Sequence, residues 1–270
     1  MKYLLPTLLV IMFADLAAQD IKAHDFSIGE SLEIYSEQLD ETRTLNVYLP
    51  VSYHPDSTRS YPVIYLLDGS EDEDFIHVAG LVQFCSFSWI QIIPESIVVG
   101  IANVDRKRDF TYPSGNEIDN RELPSSGGSE KFIRFIETEL KPLIHERYPV
   151  EGTTTLIGQS LGGLLATEIL FDHTELFDNY IIVSPSLWWD DQKLLERDLA
   201  NSFSSKSIYI AVGNEGPVMI PLAEALYEKL MNYEKTGPLY YKFLEEQDHG
   251  DALHLSVYDA FEKIFNSDKD

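Results

Sequence analysis

The chain is predicted to fold as an α/β domain on a mostly parallel sheet of about eight strands with helices on both faces. Three observations carry this. Two early strand-like segments are joined by a polar turn; short, uninterrupted apolar runs follow them; and helical patterns of apolar residues fill the gaps between those runs. The 270 residues, 44% of them hydrophobic, suffice for one sizeable core and are too few for two.

The elements read in order as follows. Residues 31–39 and 43–50, the second with Thr44, Val47, Tyr48 and Leu49, form two strands around a hairpin turn at Asp40 and Glu41. Tyr61 to Leu67 is an apolar run that ends at Asp68-Gly69, as suits a strand buried on both faces of a parallel sheet. Further runs cover 96–102, 153–157, 180–183, 208–212 and 239–244. Helical spacing marks 75–92 and then 129–147, where Phe132, Ile133, Ile136, Leu140, Leu143 and Ile144 recur every three or four residues. The stretches 162–171, 190–200, 217–235 and 253–266 behave similarly. In such sheets the chemistry gathers at the carboxyl ends of the strands.

Residues 1–23 read as a secretory signal segment. Lys2 supplies a positive start, Leu4 to Phe13 is almost wholly apolar, and Ala14, Ala17 and Ala18 follow. Asp15 and the lack of a clean A-x-A depart from that pattern, and a buried N-terminal element is the other reading. With the signal, residues 24–270 form a single mature domain that is secreted or periplasmic. The lone Cys85 leaves no intramolecular disulfide, which is compatible with export. Against 20 basic side chains stand 45 acidic ones, a net charge of −25, which disfavours nucleic acid and anionic membrane surfaces as partners.

The densest chemical signal is Gly158-Gln159-Ser160-Leu161-Gly162-Gly163, placed between a β-branched run and a helical stretch. A G-x-S-x-G at a strand–turn–helix junction is a nucleophile elbow: the sharp turn exposes the serine hydroxyl and needs flanking residues without side chains. Ser160 is thus the candidate nucleophile, and the Leu161 amide a donor to a developing oxyanion. A serine hydroxyl needs a base. Of the histidines downstream, His173 lies in the helix after the elbow, while His249 sits in the polar loop "EEQDHGD" after the last strand, where a base belongs; His254 is the alternative. The acid is expected after the penultimate strand, at Glu215, with Asp190 or Asp191 as competitors. The second oxyanion donor is expected from the amide of Gly69 or Ser70. Asp248 and Asp251 near the histidines make no closed ligand set, so neither a metal nor another cofactor is expected.

Taken together, "YPVIYLLDG", "VVGIANVDRKRDFTYP", "GQSLGG", "SPSLWW" and "DHGDALHLSVYDA" resemble the esterase D-like branch of the α/β-hydrolases over roughly residues 30–268. That branch includes enterochelin, feruloyl and acetyl xylan esterases, mycolyltransferases and S-formylglutathione hydrolase; the motif spelling is nearest to enterochelin esterase-like proteins. The resemblance implies an α/β-hydrolase fold without a large cap, with Ser160 as nucleophile and His249 as base. It puts an acid at Glu215, where relatives often keep aspartate, and basic residues Arg106 and Arg108 near the active site. Trp188 and Trp189 match aromatics at the pocket rim. The expected activity is hydrolysis of a short-chain, siderophore or sugar ester through an acyl-enzyme. Acyl transfer to an alcohol or sugar, and an inactive binding protein on the same fold, are the alternatives.

Overall fold

The computed structural model describes residues 22–199, 203–233 and 237–265, so residues 1–21 of the expected signal segment lie outside it. Strands β1 (Gly29–Ser36) and β2 (Glu41–Tyr48) pair antiparallel, from Gly29 opposite Tyr48 to Ser36 opposite Glu41. Asp40 makes the turn between them at φ 55°, a left-handed conformation that aspartate tolerates better than most residues. The apolar runs become β3 (Tyr61–Leu66), β4 (Ile97–Ile101), β5 (Val150–Gln159), β6 (Asn179–Val183), β7 (Ser207–Gly213) and β8 (Leu239–Leu244). Among the described residues the sheet has eight strands in the order β1-β2-β4-β3-β5-β6-β7-β8. Strand β2 meets β4 antiparallel, and every pair from β4 to β8 is parallel.

The helices are α1 (Phe75–Cys85), the short α2 (Arg106–Asp109) and α3 (Glu117–Glu122), α4 (Ser129–Phe135), α5 (Lys141–Arg147), α6 (Leu161–Asp172), the short α7 (Lys193–Glu196), α8 (Gly216–Met231) and α9 (Ala252–Phe265). One face of the sheet packs on α1 and α9 through Val78, Val82, Val257 and Phe261. The other packs on α4, α5, α6 and α8 through Phe132, Ile144, Leu165 and Leu226. Each of these fully buried side chains contributes roughly 1.5–3 kcal/mol, so the two faces together hold the sheet in place. No helix of the described residues is long and apolar enough to cross a membrane.

Three predicted helices differ in detail. The 129–147 stretch is continuous but widens into a π turn at 136–140, because Pro142 has no N–H for the carbonyl of Thr138. The predicted 75–92 helix stops at Cys85, whose carbonyl takes the N–H groups of Ile92 (2.9 Å) and Ile93 (3.2 Å). The 190–200 stretch is mostly not helical. Asp190, Asp191 and Gln192 are all left-handed (φ 49°, 52° and 67°), and α7 spans only four residues. The Asp190 carboxylate accepts from the Gly115 N–H at 2.7 Å and from Lys193 at 2.8 Å, so tertiary contacts override the local helical pattern.

Candidate active site

The parallel strands β3, β5, β6, β7 and β8 end at one edge of the sheet, and the loops that follow them carry Asp68, Ser160, Ser184, Glu215 and His249. Ser160 sits between β5 and α6 with φ 59° and ψ −120°, a strained conformation for a residue with a side chain. The turn survives because both sides hold it. The Ser160 N–H donates to the Val183 carbonyl (3.0 Å), and its own carbonyl accepts from Ser186 (3.0 Å) and Leu164 (2.9 Å). The flanking glycines are sterically required: a Cβ on Gly158 would lie 2.4 Å from the Gly162 carbonyl oxygen. The Ser160 hydroxyl faces the Ser186 hydroxyl at 3.4 Å.

His249 stands on the loop after β8. Its Nδ1 lies 2.5 Å from Oε2 of Glu215, and its carbonyl accepts from the Gln159 side chain at 2.6 Å, which ties the loop to the elbow. A carboxylate on Nδ1 fixes the proton there and leaves Nε2 as the basic nitrogen. The Glu215 side chain is almost fully buried, and its Oε1 accepts from the Ser184 hydroxyl and from the Gly213 N–H (3.1 Å). Burial pushes the Glu215 carboxyl up, but the hydrogen bonds from His249 and Ser184 outweigh it and hold it below its ordinary value. The hydrogen bond to Glu215 raises the His249 imidazole above its ordinary value, against partial burial and the Arg106 charge.

The competing acids face elsewhere. Asp190 is held by Ser114, Gly115 and Lys193, and Asp191 by Asn116 at 2.7 Å. His254 is exposed on the first turn of α9, and His173 ends α6.

The loop after β3 differs from expectation at one atom. The Gly69 N–H donates to the Ile101 carbonyl at 3.0 Å, so the sheet already uses it and it cannot meet an oxyanion. The Ser70 N–H faces Oε2 of Glu73 at 3.4 Å. The Asp68 N–H, like those of Glu71 and Asp72, has no acceptor among the described residues, and its φ of 55° turns the backbone at the strand end. The Leu161 N–H, first in α6, likewise has none. "LLDG" carried a readable signal: aspartate, unlike most residues, accepts the left-handed turn that such a loop needs.

The basic and aromatic candidates divide. Arg108 is bound to Glu41 (2.6 Å) and Asp109 (2.8 Å), beside a fully buried Arg43–Asp109 pair (2.7 Å), and so fastens α2 to β2 instead of facing a substrate. Trp189 is fully buried with its indole N–H on the Tyr112 carbonyl at 2.9 Å, so it is a core residue and not a rim aromatic. Trp188 is 37% exposed and lines a cavity of about 560 Å3 with Ser160, Ser186, Glu215, Met219 and His249. A second cavity of about 340 Å3 also touches Ser160 and His249, and is walled by Asp68, Glu73, Asp74 and Arg106. A separate cavity of about 840 Å3 beside Trp89 has no histidine in its lining.

The family model described as Putative esterase matches residues 36–250. Ferri-bacillibactin esterase BesA of Bacillus subtilis is 32% identical over 240 residues, covering 80% of this chain and 81% of that protein. An IroE-like serine hydrolase from Shewanella oneidensis is 34% identical with a TM-score of 0.79, over 88% of this chain and 80% of that one. The BES protein of Bacillus cereus is 29% identical with a TM-score of 0.77, over 92% and 98% of the two chains. The chain belongs to the putative esterase family and is an ester hydrolase with the α/β-hydrolase fold.

Proposed function

We propose that this chain hydrolyses carboxylic esters through an acyl-enzyme on Ser160, with His249 as general base and Glu215 as the acid that orients it. The supporting observation is that Ser160 and His249 border the same two cavities while Glu215 is hydrogen-bonded to His249 Nδ1 at 2.5 Å. The Ser160 Oγ attacks the ester carbonyl carbon as its proton passes to His249 Nε2. The amides of Leu161 and Asp68 receive the negative charge that develops on the carbonyl oxygen. Collapse breaks the ester C–O bond, and His249 gives its proton to the departing alcohol. Water, deprotonated in turn by His249, attacks the acyl-enzyme and releases the acid and free Ser160. The electronics need no metal and no organic cofactor.

The substrate class that fits best is an extended ester with bulk on both sides of the scissile bond. Two cavities, one bearing Trp188 and one walled by polar groups, flank Ser160 and give the acyl and alcohol parts separate room. The relative named a ferri-bacillibactin esterase supports a siderophore ester as the natural substrate. Residues 1–23 are proposed to direct export, leaving 24–270 as one secreted or periplasmic domain; sequencing the N-terminus of secreted protein tests this. Hydrolysis of p-nitrophenyl esters and of a metal-free siderophore trilactone, wild type beside Ser160→Ala, tests the chemistry. Equal turnover in the two proteins overturns the nucleophile. Products carrying an added alcohol instead of free acid point to acyl transfer.

A further inference from the structure

Arg106 lines one of the two cavities that border Ser160 and His249, the one arginine or lysine to do so among the described residues, and a free cation there would suit an anionic substrate. Its contacts argue otherwise. Nε donates to Asp68 Oδ1 at 2.5 Å and Nη2 to Asp68 Oδ2 at 2.8 Å, a two-pronged pair in which Asp68 is only 6% exposed. Nη2 also reaches the Gln159 carbonyl, the peptide just before Ser160, at 3.3 Å. The guanidinium lies over the Phe110 ring, 5.5 Å from its centroid. Asp68, Glu73 and Asp74 share its cavity, so the wall is net negative with the arginine included. An anionic group entering there meets no uncompensated positive charge.

The same contacts join two pieces of backbone. On one side is the Asp68 turn, left-handed at φ 55° and held further by Asn103 Nδ2 on Oδ1 at 2.7 Å and by the Asp74 N–H on the Asp68 carbonyl at 3.2 Å. On the other is the elbow, where a Cβ on Gly162 would lie 3.2 Å from Asp68 Oδ2. The Asp68 carboxylate is therefore wedged against the first turn of α6, and Arg106 closes the clamp through Gln159. We infer that Arg106 acts as a positioning residue: it locks the Asp68 turn to the elbow, and so fixes the spacing of the Asp68 and Leu161 amides proposed to receive the oxyanion. This rests on Ser160 being the nucleophile.

The test compares Arg106→Ala, Arg106→Lys, Asp68→Ala and the Arg106→Ala/Asp68→Ala double variant on a neutral p-nitrophenyl ester at saturating and limiting concentrations. Loss of alignment by about 1 Å costs on the order of a hundredfold in rate, so kcat falls by about that factor with KM within about threefold. Lysine cannot span both carboxylate oxygens and the Gln159 carbonyl, so Arg106→Lys shows nearly the same loss. The double variant is no slower than either single one, because both disable one clamp; independent roles would multiply to about 10⁴.

The pH profile separates charge from geometry. The groups facing His249 are Glu215, Arg106 and Asp248, with Asp68, Glu73 and Asp74 in the adjoining cavity. Removing the arginine charge eases protonation of His249, so the acidic limb of kcat/KM moves to higher pH in Arg106→Ala and stays near wild type in Arg106→Lys. Asp74→Asn serves as the control for Asp74, which burial and the neighbouring Asp68 and Glu73 charges push up to about 6. A tenfold rise in KM with kcat unchanged, or full kcat in Arg106→Lys, overturns the clamp and returns Arg106 to substrate binding. Retained turnover in Ser160→Ala, run alongside, instead overturns the underlying nucleophile assignment.

Discussion

Oε2 of Glu215 and Nδ1 of His249 meet at 2.5 Å, while the other carboxylate oxygen is already held by Ser184 and Gly213. The carboxylate thus has one orientation, and it sets the orientation of the ring. Glu215→Gln keeps the shape but loses the charge that stabilises the imidazolium, and kcat is expected to fall by about 10³–10⁴. With the carboxylate gone His249 protonates less readily, so the acidic limb of the pH–kcat/KM profile moves to lower pH.

The same pair links stability to pH. The raised His249 value makes its contribution complete below the ordinary histidine value and lost as pH rises through the raised one; the lowered Glu215 value makes its contribution present above the ordinary carboxylate value and lost as pH falls through the lowered one. Thermal melts of wild type and Glu215→Gln should therefore differ most between about pH 4.5 and 6.5, and by less on either side of that window.

Trp188 and Trp189 are adjacent, with opposite consequences on truncation. Trp189→Ala empties a fully buried site and should cost about 3–5 kcal/mol, read from denaturant unfolding. Trp188→Ala removes a cavity wall and should change KM for bulky esters while moving stability by about 0.5 kcal/mol or less.

Gly69→Ala tests the close approach of two strand ends. The new Cβ would lie 2.3 Å from the Gly100 Cα and 2.4 Å from the Ile101 nitrogen, all backbone that cannot rotate aside. A loss of about 3 kcal/mol or more is expected in thermal or denaturant unfolding, together with loss of activity as the Asp68 turn shifts.

Glu168 lies buried on α6, with one oxygen accepting from Ser129 at 3.0 Å and the other without a partner among the described residues. Burial pushes its carboxyl up to about 7. The folded state then binds the proton more tightly than the unfolded one, so stability falls as pH rises from about 4.5 to about 7. Glu168→Gln, neutral at every pH, should gain on wild type across that interval, by on the order of 2–3 kcal/mol at pH 8. Unfolding curves at pH 5 and pH 8 decide it; an equal difference at both removes the buried-carboxyl account.

The sequence by itself determined the eight strands, the parallel order after the first hairpin, and the positions of Ser160, His249 and Glu215 in the loops after β5, β8 and β7. These are legible because they rest on local physics. An uninterrupted apolar run has to be buried on both faces, and a strand–serine–helix turn tolerates only glycine around it. What only the tertiary structure decided is where long side chains and single N–H groups end up. Arg108 and Trp189 carry the same local cues as Arg106 and Trp188, yet the adjacent Asp109 together with the distant Glu41 captures the first, and the distant Tyr112 the second. The left-handed run at 190–192 follows from carboxylate contacts across the 114–119 segment, which no helical periodicity encodes. Of the two expected donors, Gly69 and Ser70, the first is taken by β4, because the Ile101 carbonyl accepts the Gly69 N–H as the strands pair.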